Sequence, residues 1–559
     1  MCECDSFMAN LVSSILKLLG LQNKFFRETS KAALVFGSKI YGYEEGSLNF
    51  LFLVDSIQPT LLTRIVKLGD KETTVMIVDC KTFNSDVSWG FLGDLLSSKL
   101  LMPYKPIIGE NIFWEYEVKF KRRLIWEALE SIVFENPEIA SQLLIEPKYF
   151  LYNALLKFSR TFPLSTYAFL NALWGDLASK NVELAMKGFH AALNSLADEN
   201  WVDFSSKYIR VSHALVRKMK NEIRPPPALK LFHKTLSLNV LSLMPSIMKQ
   251  YIEERRLYLR LHRKMDLKDP ALKFRNPYDY VFLETDFGLC SVSEDFDVSD
   301  FISKFYPDAE VNVSESKGFL TSVYVVSVKC SGGIRRFIVK KFGDSVGFKW
   351  IPIWLWTLGT TRFAILGSSR LAREYTANKI LKAHGIKVPK IFHVSLRKKI
   401  LFEEFIEGTP LSHYVDNAIS KGSPNEKELS LVRKVGRLIA KIHSLGLTLG
   451  DCKPEHMIVS KENEIFFVDL EQASLGGDKT WDIAEFLYYS GHYLPSIASS
   501  KPLISVVKEF VRGYLYGGGK KETVIKAGHP KYAKVFTIIT PPQAIEAISE
   551  FCLRVGEIL

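Results

Sequence analysis

The spacing of hydrophobic positions changes from one region of the chain to the next. Short apolar runs with glycine-containing turns occupy residues 31–54, and TTVMIVD follows at 73–79, which predicts strands of an α/β domain. From about residue 115 to 265, apolar residues recur every three and four positions, which predicts a helical domain. Strand-like runs return between 308 and 342, and helical spacing dominates the remainder. The pattern predicts an α+β multidomain protein.

Composition narrows the class of protein. A chain of 559 residues, with 47% hydrophobic and 24% charged residues, is too long for one core and has an ordinary globular balance. The net charge of +12 favours a polyanionic partner, such as RNA or an anionic membrane surface, although it also promotes solubility. The seven cysteines lack the spacing of a zinc site or a disulfide framework. The start, MCECDSFMAN, is acidic, and no run of 18 apolar residues occurs, so we expect a cytoplasmic protein without a transmembrane segment.

The segment from Ile442 to Asp482 carries the strongest candidate chemistry. Asp451 lies on a polar loop stiffened by proline, where its carboxylate could accept a proton from a bound hydroxyl. Lys453 would face a transferring phosphoryl group, and Asp469 ends an apolar run with a carboxylate suited to magnesium. A chance turn and a strand-terminal aspartate could explain each piece singly. The order and spacing of all the pieces favour a phosphoryl-transfer site.

The motifs IHSLG, GDCKPEH and VDLE resemble the catalytic and metal-binding loops of protein kinases, in particular the RIO kinases and the kinase subunit of the KEOPS complex. The resemblance implies that Asp451 is the catalytic base, Lys453 contacts phosphate and Asp469 binds the metal. Asp482 would brace the catalytic loop from the next helix. The implied cofactors are ATP and Mg2+.

Several residues depart from the kinase pattern. Leu449 and Gly450 replace the His-Arg pair, which removes the usual receiver of an activation-loop phosphate. His456 replaces the metal-binding asparagine, and because imidazole offers nitrogen rather than oxygen, it favours Mn2+ over Mg2+ or a single ion at Asp469. Alternatively, His456 turns away to hydrogen-bond the loop, and Glu455 or water serves the metal.

Residues 301–405 resemble a kinase small lobe. In RRFIVKKF the two lysines point to opposite faces of a strand, so only one can reach phosphate. We choose Lys340, with Lys341 as the alternative, because the resemblance aligns Lys340 with the lysine of the VAIK motif. The remaining implied ATP-binding residues are the helix glutamate Glu374, the phosphate-loop glycine Gly318, and the adenine-flanking hinge residues Glu404 and Phe405.

The first 115 residues resemble a nucleotidyltransferase domain. Gly37 and Ser38 match the phosphate-binding turn of that family, and Asp79 could be its third carboxylate. Leu48 and Phe50 stand where metal-binding carboxylates are expected, so a pair of metal ions cannot be held. We interpret the domain as catalytically inactive; the alternative is a generic α/β domain with a Gly-Ser turn.

The predicted organisation is a nucleotidyltransferase-like α/β domain at 1–115, a helical domain at 116–265, a linker at 266–300 and a bilobal protein-kinase-like domain. The small lobe of the kinase-like domain covers 301–405, and its large lobe covers 406–559. The leading functional hypothesis is an atypical serine/threonine protein kinase that phosphorylates a protein hydroxyl. The alternatives are a small-molecule kinase of the aminoglycoside-phosphotransferase type, an ATPase assisting RNA modification, and a nucleotide-binding RNA adaptor. The aromatic stretch Trp350–Trp356 predicts either a docking surface or an interdomain interface.

Overall fold

The computed structural model divides the chain into two compact units, residues 1–282 and 283–559. It describes residues 30–68, 71–221, 244–261, 274–307, 310–317, 321–330, 333–344, 364–495 and 498–558. The predicted phosphate-loop glycine Gly318 and the aromatic stretch Trp350–Trp356 lie outside the described residues.

The amino-terminal unit begins with a mixed β-sheet built from the predicted apolar runs. Within the described residues its strands lie in the order Leu61–Leu68, Lys71–Asp79, Asn49–Val54, Ser30–Phe36 and Lys105–Ile108. The strands Asn49–Val54 and Lys71–Asp79 are parallel, and the other neighbouring pairs are antiparallel. The alternate residues Phe50 and Phe52 are fully buried on one face, because period-two alternation directs them together into the core.

The Gly-Ser turn of this sheet is filled by a carboxylate of the same unit. Glu254, on the helix Met244–Leu261, is buried and accepts hydrogen bonds from the backbone N–H of Ser38 (3.4 Å) and from its hydroxyl (3.1 Å). Ser47 also donates its hydroxyl to Glu254, and Asn171 donates its amide at 2.7 Å. Asp79 caps the helix Cys80–Trp89 by accepting from the backbone N–H and hydroxyl of Thr82.

Helices dominate the rest of this unit, as the spacing of apolar residues predicts. They are Glu110–Glu135, Lys148–Thr161, Thr166–Ala172, Ala178–Asp198, His213–Asn221 and Met244–Leu261. The described part of the predicted helical region also contains short strands at Leu144–Ile145, Val202–Ser205 and Tyr208–Val211. The segment predicted as a linker is structured from residue 274: it contains the 3-10 turn Pro277–Tyr280 and the strands Val281–Thr285 and Gly288–Ser291.

The carboxyl-terminal unit contains an antiparallel sheet that positions the candidate site. Its described strands lie in the order Glu310–Lys317, Thr321–Cys330, Gly333–Phe342, Ile400–Glu404 and Ile391–Ser395. The helix Val298–Phe305, capped by Asp297, buries Phe301 against Phe337 and Phe402 of this sheet. The longer helix Gly367–Ala383 carries Glu374.

Residues after the strand Ile400–Glu404 form a largely helical lobe. Its helices are Leu411–Ser420, Glu426–Ser444, Lys479–Ser490, Lys501–Tyr516, Lys521–Ala527, Pro530–Ala533, Pro542–Leu553 and Val555–Ile558. Short antiparallel strand pairs flank the loops that carry Asp451 and Asp469. Leu447–Thr448 pairs with Ser474–Leu475, and Met457–Val459 pairs with Ile465–Phe467. The loop with Asp451 and the loop with Asp469 each run between these strand pairs, so both are fixed at their two ends.

No helix in the described part of the chain is both long enough and apolar enough to cross a membrane.

Candidate functional site

Lys340 lies at the centre of a buried cluster of charges. Its Nζ is 2.8 Å from Oε1 of Glu374, 3.4 Å from Oε2 of Glu403 and 3.8 Å from Oδ1 of Asp469. The side chains of Lys340, Glu374 and Glu403 are all buried. Lys341 is exposed on the opposite face of the strand, as alternation along a strand requires. The structure therefore brings Lys340, rather than Lys341, to Glu374 and Asp469.

The charges of this cluster depend on one another. Burial opposes the charged form of Lys340, but the carboxylates of Glu374, Glu403 and Asp469 together raise its pKa well above the usual value. Burial raises the pKa of Glu374 to about 8, with Lys340 opposing the shift. Three carboxyl groups share the positive charge of one ammonium group, which is why burial can raise the pKa of Glu374; a divalent cation bound nearby would favour their ionised forms.

Glu403 is a member of this cluster that the sequence analysis did not identify. In the sheet, Ile338 pairs with Glu403 and Lys340 pairs with Leu401, so Glu403 and Lys340 are diagonal neighbours on one face. The two paired strands are about sixty residues apart in the chain, so the alternation of residues within either strand cannot predict which residues pair. The predicted hinge residues lie just beyond: Glu404 is an ion-pair partner of Lys390, and Phe405 lies under the guanidinium of Arg336.

The catalytic-loop candidates lie next to each other. Nζ of Lys453 is 2.6 Å from Oδ1 of Asp451. Burial favours the protonated form of Asp451, but the positive charges of His456 and Lys453 outweigh it and hold its pKa below the ordinary value. Asp451 is consequently ionised at neutral pH and able to accept a proton.

His456 lies between the two candidate aspartates. Its Nδ1 donates a hydrogen bond to the backbone carbonyl of Asp451 (3.1 Å), and its Nε2 is 3.5 Å from Oδ2 of Asp469. Nε2 carries a proton toward the Asp469 carboxylate when the ring is charged, and after loss of that proton its lone pair is available to a metal held beside Asp469. Glu455, the alternative ligand, instead accepts a hydrogen bond from the hydroxyl of Tyr493 at 2.6 Å. One nitrogen of His456 therefore bonds the loop while the other faces Asp469, and the choice of His456 as a metal ligand stays a prediction.

Asp469 occupies a backbone conformation that side chains rarely adopt. Its φ of 59° lies in the left-handed region, where aspartate is more common than most residues. Its side chain is 38% exposed, in contrast to the buried carboxylates around Lys340. The following Leu470 is buried in the core of the helical lobe. A strained aspartate anchored by a buried neighbour presents a fixed, accessible carboxylate.

Glu471, the last residue of the VDLE motif, joins the loop that carries Asp469 to the small lobe. Its Oε2 is 3.1 Å from Nη1 of Arg370, and the hydroxyl of Thr321 donates to the same oxygen at 2.6 Å. Arg370 also donates through Nη2 to the carbonyl of Gly343 at 2.8 Å. The next residue, Gln472, accepts from the backbone N–H of Ala364. Arg370 was not identified from the sequence as part of this site.

Asp482 lies beneath the catalytic loop and is fully buried. Its two oxygens accept hydrogen bonds from the backbone N–H groups of Leu449 (2.7 Å) and Gly450 (2.8 Å). Nε2 of His443 lies 3.0 Å from the same carboxylate, at hydrogen-bonding distance. Glu485, one helical turn later, accepts from the backbone N–H of Cys452 at 2.7 Å and was not identified from the sequence. One helix therefore holds the loop before and after Asp451.

The side chains around Asp469 fit a divalent metal ion. A half-exposed carboxylate is the hard oxygen ligand that magnesium prefers, and the Nε2 atom of His456 is a ligand that manganese accepts more readily. Asp469 would hold the ion, with His456 as the second protein ligand.

Comparisons with known proteins find one family model and several relatives that match parts of this chain. The model of the lipopolysaccharide kinase (Kdo/WaaP) family matches residues 359–485. KEOPS complex subunit Bud32 of Pyrococcus abyssi is 33% identical over 104 residues, covering 19% of this chain and 44% of that protein. EKC/KEOPS complex subunit bud32 of Dictyostelium discoideum is 29% identical over 106 residues, covering 19% of this chain and 42% of that protein.

A longer match is to a probable bifunctional tRNA threonylcarbamoyladenosine biosynthesis protein of Methanobrevibacter smithii. It is 27% identical over 161 residues, or 28% of this chain and 27% of that protein. The chain thus spans less than half the length of each of these relatives. The kinase-like fold predicted for the carboxyl-terminal unit is supported, whereas the nucleotidyltransferase-like assignment of residues 1–115 stays a prediction.

Proposed function

We propose that the carboxyl-terminal unit is an atypical kinase that transfers the γ-phosphoryl group of ATP to a hydroxyl group. The observation that carries the proposal is the ion pair between Lys340 and Glu374, 2.8 Å long, with Asp469 3.8 Å from the same ammonium group. A buried lysine held beside an accessible carboxylate suits a nucleotide polyphosphate and its metal ion.

Each residue of the site has a defined role in this reaction. Lys340 contacts the ATP phosphates, and Glu374 orients it. Asp451 accepts the proton of the acceptor hydroxyl while the hydroxyl oxygen forms a bond to the γ-phosphorus. The bond between the γ-phosphorus and the oxygen that bridges it to the β-phosphorus breaks, and ADP leaves. Lys453 stabilises the negative charge on the transferring group. A divalent ion held by Asp469, with His456, would neutralise phosphate charge when bound.

For the acceptor, we favour a protein serine or threonine hydroxyl. The support is the contact of Lys453 with Asp451, which resembles the DxK arrangement of protein kinases. A sugar hydroxyl is the second candidate, because the lipopolysaccharide kinase family model matches residues 359–485. A third candidate is an ATPase that assists RNA modification; a tRNA threonylcarbamoyladenosine biosynthesis protein among the relatives supports the link to tRNA. The amino-terminal unit would then supply RNA contact or regulation, consistent with the net charge of +12.

The test uses the full chain and γ-labelled ATP with magnesium or manganese. Parallel reactions contain a serine/threonine protein acceptor, a Kdo-containing lipopolysaccharide core, tRNA, or no acceptor. Label in protein supports the protein kinase, label in the sugar supports the second candidate, and free phosphate stimulated by tRNA supports the ATPase. The catalytic control is Asp451→Asn and the matched surface control is Lys341→Ala. Turnover equal to that of Asp451→Asn in every reaction contradicts the proposal.

A further inference from the structure

A hairpin near the start of the carboxyl-terminal unit is tied to the edge strand Ile391–Ser395. The backbone N–H of Asp286 donates to the carbonyl of Ile391 at 2.7 Å, and its carboxylate accepts from the N–H of Ile391 at 2.9 Å. The rings of Phe287 and Phe392 stack with centroids 4.5 Å apart. These contacts hold Gly288–Ser291, the second strand of the hairpin, beside the edge of the sheet.

Three side chains with metal-binding atoms meet at this junction. Sγ of Cys290 is 3.3 Å from Nδ1 of His393 and 3.9 Å from Oε2 of Glu294. One ligand atom from each of the three residues lies within 4.8 Å of the others. Cys290 and His393 are buried, whereas Glu294 is 35% exposed on its side chain, so the group is open to solvent on one side.

The separations match those that zinc imposes. Zinc bonds of about 2.3 Å to sulfur and about 2.0 Å to nitrogen, at tetrahedral angles, place the two ligand atoms roughly 3.5 Å apart. The observed 3.3 Å between sulfur and nitrogen needs little adjustment. Thiolate, imidazole and carboxylate are the ligand types that zinc prefers, and two anionic ligands offset its charge.

Metal binding requires a neutral imidazole at His393 and an ionised thiol at Cys290. Burial, followed by the nearby charge of Lys304, lowers the pKa of His393 to about 4, so the imidazole is neutral at physiological pH. Burial raises the pKa of Cys290 to about 12, and the thiol lies 3.2 Å from the carbonyl of Val394. Metal binding therefore requires loss of one proton, which passes from the Cys290 thiol to solvent as the metal–sulfur bond forms.

We propose that Cys290, Glu294 and His393 form a zinc site, with solvent as the fourth ligand. The site is separate from the Asp451 and Lys340 cluster and does not depend on the proposed kinase reaction. Because Cys290 and His393 are 103 positions apart in the chain, the metal would cross-link the hairpin to the sheet and stabilise the folded state.

The experiment measures metal content and spectra of the full chain, stripped with a chelator and reloaded with zinc or cobalt. Wild type is expected to bind one more equivalent of metal than Cys290→Ser, and its cobalt form is expected to show thiolate-to-cobalt charge transfer that Cys290→Ser lacks. Cys552→Ser, which alters another buried cysteine of the same unit, controls for the substitution and should behave as wild type. The comparison with Cys290→Ser also subtracts any metal held by Cys2 and Cys4.

Glu294→Gln keeps the test decisive if Cys290→Ser does not fold, since Glu294 is partly exposed and its shape is preserved. We expect this variant to bind zinc about tenfold more weakly or worse in a chelator competition. Zinc should also raise the Tm of wild type and of Cys552→Ser, with a smaller rise in Glu294→Gln. Equal zinc affinity in wild type and Glu294→Gln, or a wild-type cobalt form without thiolate charge transfer, would overturn the proposal.

Discussion

Arg370 and Glu471 form a buried ion pair between the small lobe of the carboxyl-terminal unit and the loop that carries Asp469, with Nη1 and Oε2 separated by 3.1 Å. Arg370 lies on the same helix as Glu374, and Glu471 lies two residues after Asp469. The pair therefore connects the helix that carries Glu374, the partner of Lys340, to the loop that carries Asp469, the proposed metal ligand.

Removing one member of this pair should lower the stability of the folded protein more than removing both. Arg370→Met leaves the buried Glu471 carboxylate without its cation, which should lower the free energy of unfolding by about 3–5 kcal/mol. The double variant Arg370→Met/Glu471→Leu should recover most of that loss, because no buried charge then lacks a partner. Urea unfolding of the full-length variants measures both values. Equal losses in the single and double variants would mean that the pair contributes no coupling.

The proposed chemistry predicts that three single substitutions each abolish phosphoryl transfer without unfolding the protein. Lys340→Ala, Asp451→Ala and Asp469→Ala remove charges that act on the phosphates, the acceptor hydroxyl and the metal. We expect rates to fall by about 10²–10⁴-fold. Lys341→Ala is the matched control, since its side chain is exposed on the other face of the strand. Wild-type turnover in Asp451→Ala would show that the catalytic loop is misassigned.

Asp482 should affect the rate rather than ATP binding, because it contacts the loop and not the Lys340 cluster. Asp482→Asn replaces one accepting oxygen by a donor against the N–H groups of Leu449 and Gly450, and we expect a fall in kcat of about 10–100-fold, corresponding to 1–3 kcal/mol. Calorimetric titration with ATP should give an unchanged Kd. Asp478→Asn, which weakens the cap of the same helix, is the control and should retain kcat.

His456 should set the choice of metal. Its Nε2 faces Asp469, so His456→Asn exchanges a nitrogen ligand for an oxygen ligand and should raise the magnesium-supported rate relative to the manganese-supported rate. Steady-state rates in each metal give the ratio for wild type and variant, and ATP affinity serves as the control. The same ratio in both forms would remove His456 from the metal site.

The same residue should confer a pH dependence. Burial lowers the pKa of His456, but the carboxylates of Asp451 and Asp469 outweigh this effect and raise the pKa above its ordinary value. Because the protonated ring has no lone pair for a metal, the manganese-supported rate of wild type should fall as the pH drops through that raised pKa. His456→Asn should lack this limb of the profile. A limb that persists in the variant must come from another group.

The amino-terminal unit should have no nucleotidyltransferase activity. Leu48 and Phe50 offer no metal ligands, and Glu254 occupies the Gly-Ser turn by bonding Ser38. Full-length Asp451→Ala, incubated with RNA and α-labelled nucleotides, should incorporate no label. Incorporation that disappears in Asp79→Ala would establish an active centre there and refute the prediction.

The sequence by itself determined those features that depend on residues close together in the chain. The spacing of Asp451, Lys453 and Asp469, and the alternation that separates Lys340 from Lys341, are two such features. A kinase-like fold was predicted because the motifs around these residues resemble those of protein kinases. Helical spacing likewise predicted the helices of the amino-terminal unit, because burial of one helix face requires that period.

Tertiary structure decided which distant residues meet. Glu403 joins Lys340 only through strand register, Arg370 reaches Glu471 only when helix and loop pack together, and Cys290 meets His393 across 103 positions. Glu254 fills the Gly-Ser turn only when its helix packs against the sheet. A buried charge or a metal ligand is defined by partners in space, and chain order does not encode those partners locally.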